Sequence, residues 1–459
     1  MMQSDLQPTA QPDPALPATP SPGAGRSDQL ALAFLAACAL LAAPLLFAAR
    51  LPQGLLTLAV LVLLGVFIVR GLFTRSWLPR TAVDGPNILL LLLLPMGLWA
   101  STDMSVSWPV IYKVIAGFAI FYGLAGLAGS RWMRALPWLV LIASAGLALV
   151  VLLGTNWTTS KLPWVPDAVY ERLPTLLLPG RTQGFHPNVA GAAMSWLLLP
   201  AVALAAWAYD RRVRAGAALT ALLLALVLLL SQSRGAWLAV AAALLAMPVL
   251  RYRRWWLVVV AALAVAAAVG LVFGLDHVQG LLFPVATAEE MTVNTLPGRL
   301  ELWTRALYML RDFGLAGVGP GQFEELVLVL YPPFFTGLHG NFYHAHNFYL
   351  QAAIDFGIPG LVVFVALLLG SGAGIIAATR RWPTIALADR PQAALASGVF
   401  GSLLIFVVHG LVDAPQVAPP SYALFFSLLG AAMAVCSQLS AQRMAGAQLS
   451  TALSGARRR

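Results

Sequence analysis

Three histidines crowd into one short stretch, Gly337-Leu-His339-Gly-Asn341-Phe-Tyr343-His344-Ala-His346-Asn347, of a chain that contains 6 in all. An imidazole with an unperturbed pKa of about 6.5 can take a proton from a hydroxyl in a neutral compartment, so a general base is sought here first. His346 is the first choice and His344 the second. Their rings point the same way if the segment is extended and diverge if it is helical. Asp355 follows one helical stretch later, where it either orients a histidine or marks a helix end. A metal site completed by Glu324 or Glu325 is disfavoured, because no carboxylate stands at a fixed short spacing from the histidines. No metal and no cofactor are expected.

Arginines offer the complementary chemistry. Arg234 lies in the turn Ser231-Gln-Ser-Arg234-Gly235 between two apolar runs. It is either an interfacial anchor or a ligand for an anion at the membrane surface. Arg181 precedes another apolar run in Arg181-Thr-Gln-Gly184-Phe-His-Pro187-Asn188, where Gly184 and Pro187 are turn-formers and Asn188 is a candidate helix N-cap. Arg299 opens a short helix in which Leu300, Trp303, Ala306, Leu307 and Leu310 share a face, with Arg305 and Arg311 expected on the solvated side. A helix N-terminus also favours an anion beside Arg299. Lys113 is the only lysine inside an apolar run and either faces a cavity or snorkels outward. The turn Gly314-Leu-Ala-Gly317-Val-Gly319-Pro-Gly321 has no preceding strand and no Lys-Ser/Thr ending, so it reads as a turn and not as a phosphate loop.

What must position these residues is a membrane-embedded scaffold. The chain has 459 residues, 60% hydrophobic and 10% charged, with a mean hydropathy of +0.81. A soluble fold carries about 25% charged residues. Continuous apolar runs recur from 29–49 to 420–440, each near the roughly 20 residues that cross a bilayer as a helix, and they predict about twelve spans. The fold class expected is all-α: a polytopic helical membrane protein with a large loop containing short helices. The net charge of +10 does not signal nucleic acid, because the arginines cluster in short connections between runs. Cys38 and Cys436 lie in apolar runs and offer neither a disulfide framework nor a metal spacing.

Arg75 and Arg80, Arg131 and Arg134, Arg211 to Arg214, Arg251 to Arg254, Arg380 to Arg390 and Arg457 to Arg459 all fall in alternate connections. The positive-inside bias puts that side, and both termini, in the cytoplasm. The loops 155–187 and 276–357 and the turn at Arg234 then face the other side of the membrane. The division expected is a disordered cytoplasmic tail over 1–28, helices 1–9 over 29–275, a periplasmic catalytic loop over 276–357, helices 10–12 over 358–440 and a basic cytoplasmic tail over 441–459. The run after the first tail leads into further spans and reads as a retained anchor.

Several of these motifs resemble the O-antigen ligase and polymerase superfamily. They are Ser231-Gln-Ser-Arg234-Gly-Ala-Trp237, Gly298-Arg299-x3-Trp303, the Gly317-Val-Gly319-x-Gly321 turn, and His344-Ala-His346-Asn347-x-Tyr349-Leu-Gln351 ending at Asp355-Phe-Gly357. The resemblance implies transfer of a glycan from undecaprenyl pyrophosphate to a hydroxyl of lipid A–core oligosaccharide, at the periplasmic face of a Gram-negative inner membrane. It further implies no metal, ATP or nucleic-acid partner. Arg181, Arg234 and Arg299 would hold the pyrophosphate and His346 or His344 would be the base. Asn347, Asp355, Lys113 and Trp303 would support them. An O-antigen polymerase or a protein O-oligosaccharyltransferase would use the same donor. A transporter or flippase is the alternative of another class, which would want paired charges near the bilayer midplane and broken helices in matching halves.

Overall fold

A computed structural model describes residues 22–157, 166–177, 183–274, 296–334, 343–414 and 421–456. Helices dominate it. In chain order they are α1 (Pro22–Leu46), α2 (Gln53–Thr74), α3 (Asp84–Ala100), α4 (Met104–Ala125), α5 (Leu136–Gly154), α6 (Asp167–Glu171), α7 (Pro187–Trp207) and α8 (Arg211–Ser231). There follow α9 (Arg234–Ala246), α10 (Trp256–Phe273), α11 (Leu296–Phe313), α12 (Phe323–Leu330), α13 (Phe348–Thr379), α14 (Arg390–His409) and α15 (Ser421–Ala456). The only extended pairing among the described residues is a bridge between Thr155 and Phe185.

Among the described residues ten helices are long and apolar enough to cross a membrane, and two shorter apolar ones, Asp84–Ala100 and Arg234–Leu250, accompany them. The chain is an all-α, multi-pass membrane protein. Large side chains such as Leu72, Trp99 and Leu271 remain exposed on the flanks, which water would penalise and lipid does not. α1 already begins at Pro22, inside the stretch read as tail, and Asp28 on it accepts from the backbone N–H of Arg131. At the other end α15 carries the helix through to Ala456, well into the stretch read as a basic tail.

Helices that carry the site meet through small residues. A Cβ on Gly398 of α14 would come within 2.3 Å of Pro200 on α7, and one on Gly430 of α15 within 2.6 Å of Phe121 on α4. Close backbone approach of this kind replaces the hydrophobic driving force that lipid cannot supply between helices.

The connections rich in arginine gather at one end of the bundle. Gln392 donates to the Met133 carbonyl, Ser437 to that of Arg80, and Arg251 lies over the ring of Trp382. The described part of the polar insertion, from 296 onward, occupies the opposite end. It docks on the α3–α4 connection through Gln322, whose amide donates to the Asp103 carbonyl (2.7 Å) and accepts from the Thr102 hydroxyl (2.8 Å). Ser107 adds a hydrogen bond to the Pro320 carbonyl.

Beneath it α13 is broken at Phe356 and Gly357, the latter at φ 71° and ψ −178°. Only glycine adopts that conformation without strain. The break admits the turn 314–318, with Ile358 N–H donating to the Gly314 carbonyl and Val318 N–H to that of Ile354. The glycine-rich segment is therefore a packing turn. It wedges the insertion into the kink of a spanning helix.

Candidate active site

A small core of its own supports the insertion, separate from that of the spans. Leu302, Ala306 and Met309 of α11 pack with Val318, Phe323 and Val327, with Ile354 of α13, and with Ala345 between the two histidines. Arg299 and Arg305 share that buried face, while Leu300 and Leu307 are about half exposed. This corrects the expected orientation of α11, which is rotated so that Leu302 and Met309 point inward. Arg305 is not on a solvated side. Its Nε donates to Glu301 (2.8 Å) one turn earlier, and its guanidinium lies 4.4 Å from the ring centre of Phe334. Pairing and ring stacking make burial of a guanidinium tolerable.

The histidine segment is locally bent. His346 has φ 47°, in the left-handed region that non-glycine residues rarely occupy, and the rings of His344 and His346 lie 4.2 Å apart. Two anchors hold the bend. Asn347 caps α13 by accepting from the N–H groups of Tyr349 and Leu350, and its amide donates to the Leu411 carbonyl. Gln351 accepts from Ala345 N–H (2.9 Å) and donates to Asp355 (2.8 Å), which also faces Gly321 N–H. Asp355 thus meets neither histidine. It secures the glutamine that grips the backbone between them.

The partner of His346 comes from elsewhere. Its Nδ1 lies 3.2 Å from Oδ1 of Asp413, which follows the end of α14, and Asp413 also accepts from Ala414 N–H. His409, one turn before Asp413, brings its Nε2 to 4.0 Å from Oδ2. Arg299 reaches the same corner and donates to the Val412 carbonyl. Burial works against the charge of Asp413, but the hydrogen bond and charge of His346, with His344 and His409 adding, hold its carboxyl well below the usual carboxylate range. An ionised Asp413 accepts from Nδ1–H of His346, which places the lone pair on Nε2.

His344 is a different kind of group. Burial first, and then the charge of His346, push it down to about 3, with Asp413 opposing and Arg299 and His186 adding. Its Nδ1 accepts from the backbone N–H of His346 (3.1 Å). A neutral imidazole with Nδ1 occupied presents an N–H donor at Nε2. Burial lowers the pKa of the Arg299 guanidinium and the charge of Asp413 opposes that shift.

Arg234 opens α9, and its neighbour Gly235 packs on His409, to which an added Cβ would approach within 3.1 Å. The arginine turn thus adjoins the cluster. His186 is the N-cap of α7, its Nδ1 accepting from Asn188 N–H, so Asn188 is not the cap. Trp303 is half-buried on α11, one turn after Arg299, with its Nε1 enclosed and lacking a partner among the described residues. Lys113 is half-buried on the face of α4 whose Val106 and Val110 touch Gly321, one turn deeper into the bundle. Arg181 and His339 lie outside the described residues.

Sequence reasoning missed Asp413 and His409. The usable signal was a pair of ionisable residues at i and i+4 closing an otherwise apolar run, at the same end of the bundle as the histidines. His344, His346 and Asp413 also bring their donor atoms within 4.8 Å of one another, an arrangement the linear spacing of Glu324 and Glu325 did not suggest.

Residues 219–365 match the family model described as O-Antigen ligase. A search of curated proteins gives no match. The matched span takes in the arginine turn, α11 and the histidine segment, and supports a function of O-antigen ligase or polymerase type. Over residues 219–365 the chain is thus similar to the O-antigen ligase family.

Proposed function

We propose that this protein is an O-antigen ligase. It transfers a glycan from undecaprenyl pyrophosphate to a hydroxyl of lipid A–core oligosaccharide, at the periplasmic face of the inner membrane, with both termini in the cytoplasm. The observation that carries this reading is the His346–Asp413 pair beside the buried guanidinium of Arg299.

In this reading His346 Nε2 takes the proton of the acceptor hydroxyl as its oxygen attacks the anomeric carbon. The bond from that carbon to the diphosphate oxygen breaks, and its electron pair leaves with the diphosphate. Asp413 stabilises the imidazolium and fixes the ring. Arg299, with Arg234 and Arg181, offsets the charge that grows on the leaving group, each charge-assisted hydrogen bond contributing roughly 1.5–3 kcal/mol. His344 donates from Nε2 to a substrate oxygen. The donor brings its own leaving group, so neither ATP nor a metal takes part in the step.

Transfer assayed with purified protein, a polyprenyl-linked glycan and purified lipid A–core tests the reading. Glycan on lipid A–core is the expected product. Elongation of a second lipid-linked glycan, with lipid A–core untouched, would instead make it a polymerase. Movement of labelled donor across liposomes without transfer would make it a transporter.

A further inference from the structure

We propose that His344, His346 and Asp413 capture a borderline-soft dication of the zinc class, and that the bound ion switches off the base. Binding stands on the geometry alone, whereas the inhibition rests on the reading of His346 given above.

The donor set is two imidazoles and a carboxylate, with all three ligand atoms within 4.8 Å. Tetrahedral zinc has bonds of about 2.0–2.2 Å, which separate its ligand atoms by roughly 3.4 Å. His346 Nδ1 and Asp413 Oδ1 already stand 3.2 Å apart. The His344 ring has to move closer and turn its Nδ1 lone pair from the His346 backbone N–H to the ion, and the bend at His346 has brought the two rings to 4.2 Å. The ion would leave one coordination position for water or a substrate oxygen. Imidazole nitrogen suits zinc, copper and nickel, whereas magnesium and calcium demand oxygen. Arg299, charged and on the adjoining Val412 carbonyl, raises the electrostatic cost for any cation, so weak oxygen-seeking ions are excluded first.

Inhibition follows from the tautomer. An ion on Nδ1 takes the lone pair there, and the proton of that nitrogen moves to Nε2. No lone pair then faces the acceptor hydroxyl, and no proton is gained or lost overall. Asp413 is spent on the ion at the same moment.

The test uses full-length protein without a histidine tag, purified in detergent, stripped with chelator and titrated calorimetrically with zinc chloride. Saturable one-to-one binding is expected, at least tenfold weaker in His344→Ala and in Asp413→Ala, with no heat from magnesium chloride. Glycan transfer should fall over the same zinc range and return on adding EDTA. Cobalt chloride in the unaltered protein should give the visible absorption of a four- or five-coordinate ion, which covers the case of variants that do not fold. Absence of saturable zinc binding, unchanged affinity in both variants, a six-coordinate cobalt spectrum, or full transfer at saturating zinc would each overturn the proposal. Zinc binding as described in a protein that transfers no glycan would keep the metal site and remove the transferase reading.

Discussion

His346 and Asp413 are 67 residues apart in the chain and 3.2 Å apart at their side chains. One comes from the bend that precedes α13 and the other from the end of α14, and the backbone bond from Phe348 N–H to the Gly410 carbonyl ties those two segments together. The pairing converts a histidine on a loop into an oriented one. Replacing Asp413 with Asn keeps the shape but presents an amide that can stabilise either tautomer. Transfer should fall on the order of 10²–10⁴-fold in kcat, with little change in the KM for donor. Steady-state kinetics of Asp413→Asn against both substrates checks this.

Arg299 and Arg234 are expected to act on the donor. Arg299→Ala removes a buried guanidinium and should cost about 1.5–3 kcal/mol of donor engagement, roughly 10–150-fold in kcat/KM. Arg234→Ala should weaken donor engagement as well. Lysine at either position should restore only part of the loss, because an ammonium lacks the planar fork that grips a diphosphate at two oxygens. Donor titration of the four variants separates these outcomes.

Acid should destabilise the fold through His344. Its pKa is about 3 in the folded protein and near 6.5 when unfolded. The unfolded chain therefore binds the extra proton throughout that interval, and stability falls as pH drops from about 6.5 toward 3. Asp413 acts in the same sense at lower pH, its depressed carboxyl losing its contribution below the unfolded value of about 3.9. Thermal unfolding in detergent should show a falling midpoint between pH 6.5 and 4. His344→Gln should flatten that slope, and an unchanged slope would contradict the burial of this imidazole as a neutral group.

Gly357 should not tolerate a side chain. A Cβ there would stand 2.2 Å from the Leu315 carbonyl oxygen, at a backbone conformation of φ 71°. Gly357→Ala combines backbone strain of order 1–3 kcal/mol with a collision against main chain. Loss of unfolding midpoint with parallel loss of transfer is expected. Gly146, with nothing within 4 Å of its added Cβ, gives the matched control that should leave both intact.

Much of this architecture was legible because it is written in composition. Long apolar runs have one solution in a bilayer, and the arginine-rich connections do gather at one end of the bundle. Gly314 to Gly321 was readable as a turn from what it lacked. Less legible was anything that depended on which of two faces a helix buries. α11 has apolar residues on both, Leu300 and Leu307 on one and Leu302, Ala306 and Met309 on the other, and packing against Ile354 and Phe323 chose the second. Arg305 followed it inward because Glu301 and Phe334 were there to receive it. Asp413 could not be paired with His346 from spacing, since the contact is made by tertiary packing across an entire spanning helix and its return. His186 took the cap position from Asn188 because its ring nitrogen, one residue before Pro187, accepts from the N–H of Asn188 itself.

Transfer by His346→Ala, measured alongside donor binding on the same preparation, bears most directly on the central claim. Turnover is predicted to fall by about 10²–10⁴-fold or below detection, with donor affinity held within about threefold. Turnover comparable to that of the unaltered protein, with donor bound normally, would contradict the assignment of His346 as the base.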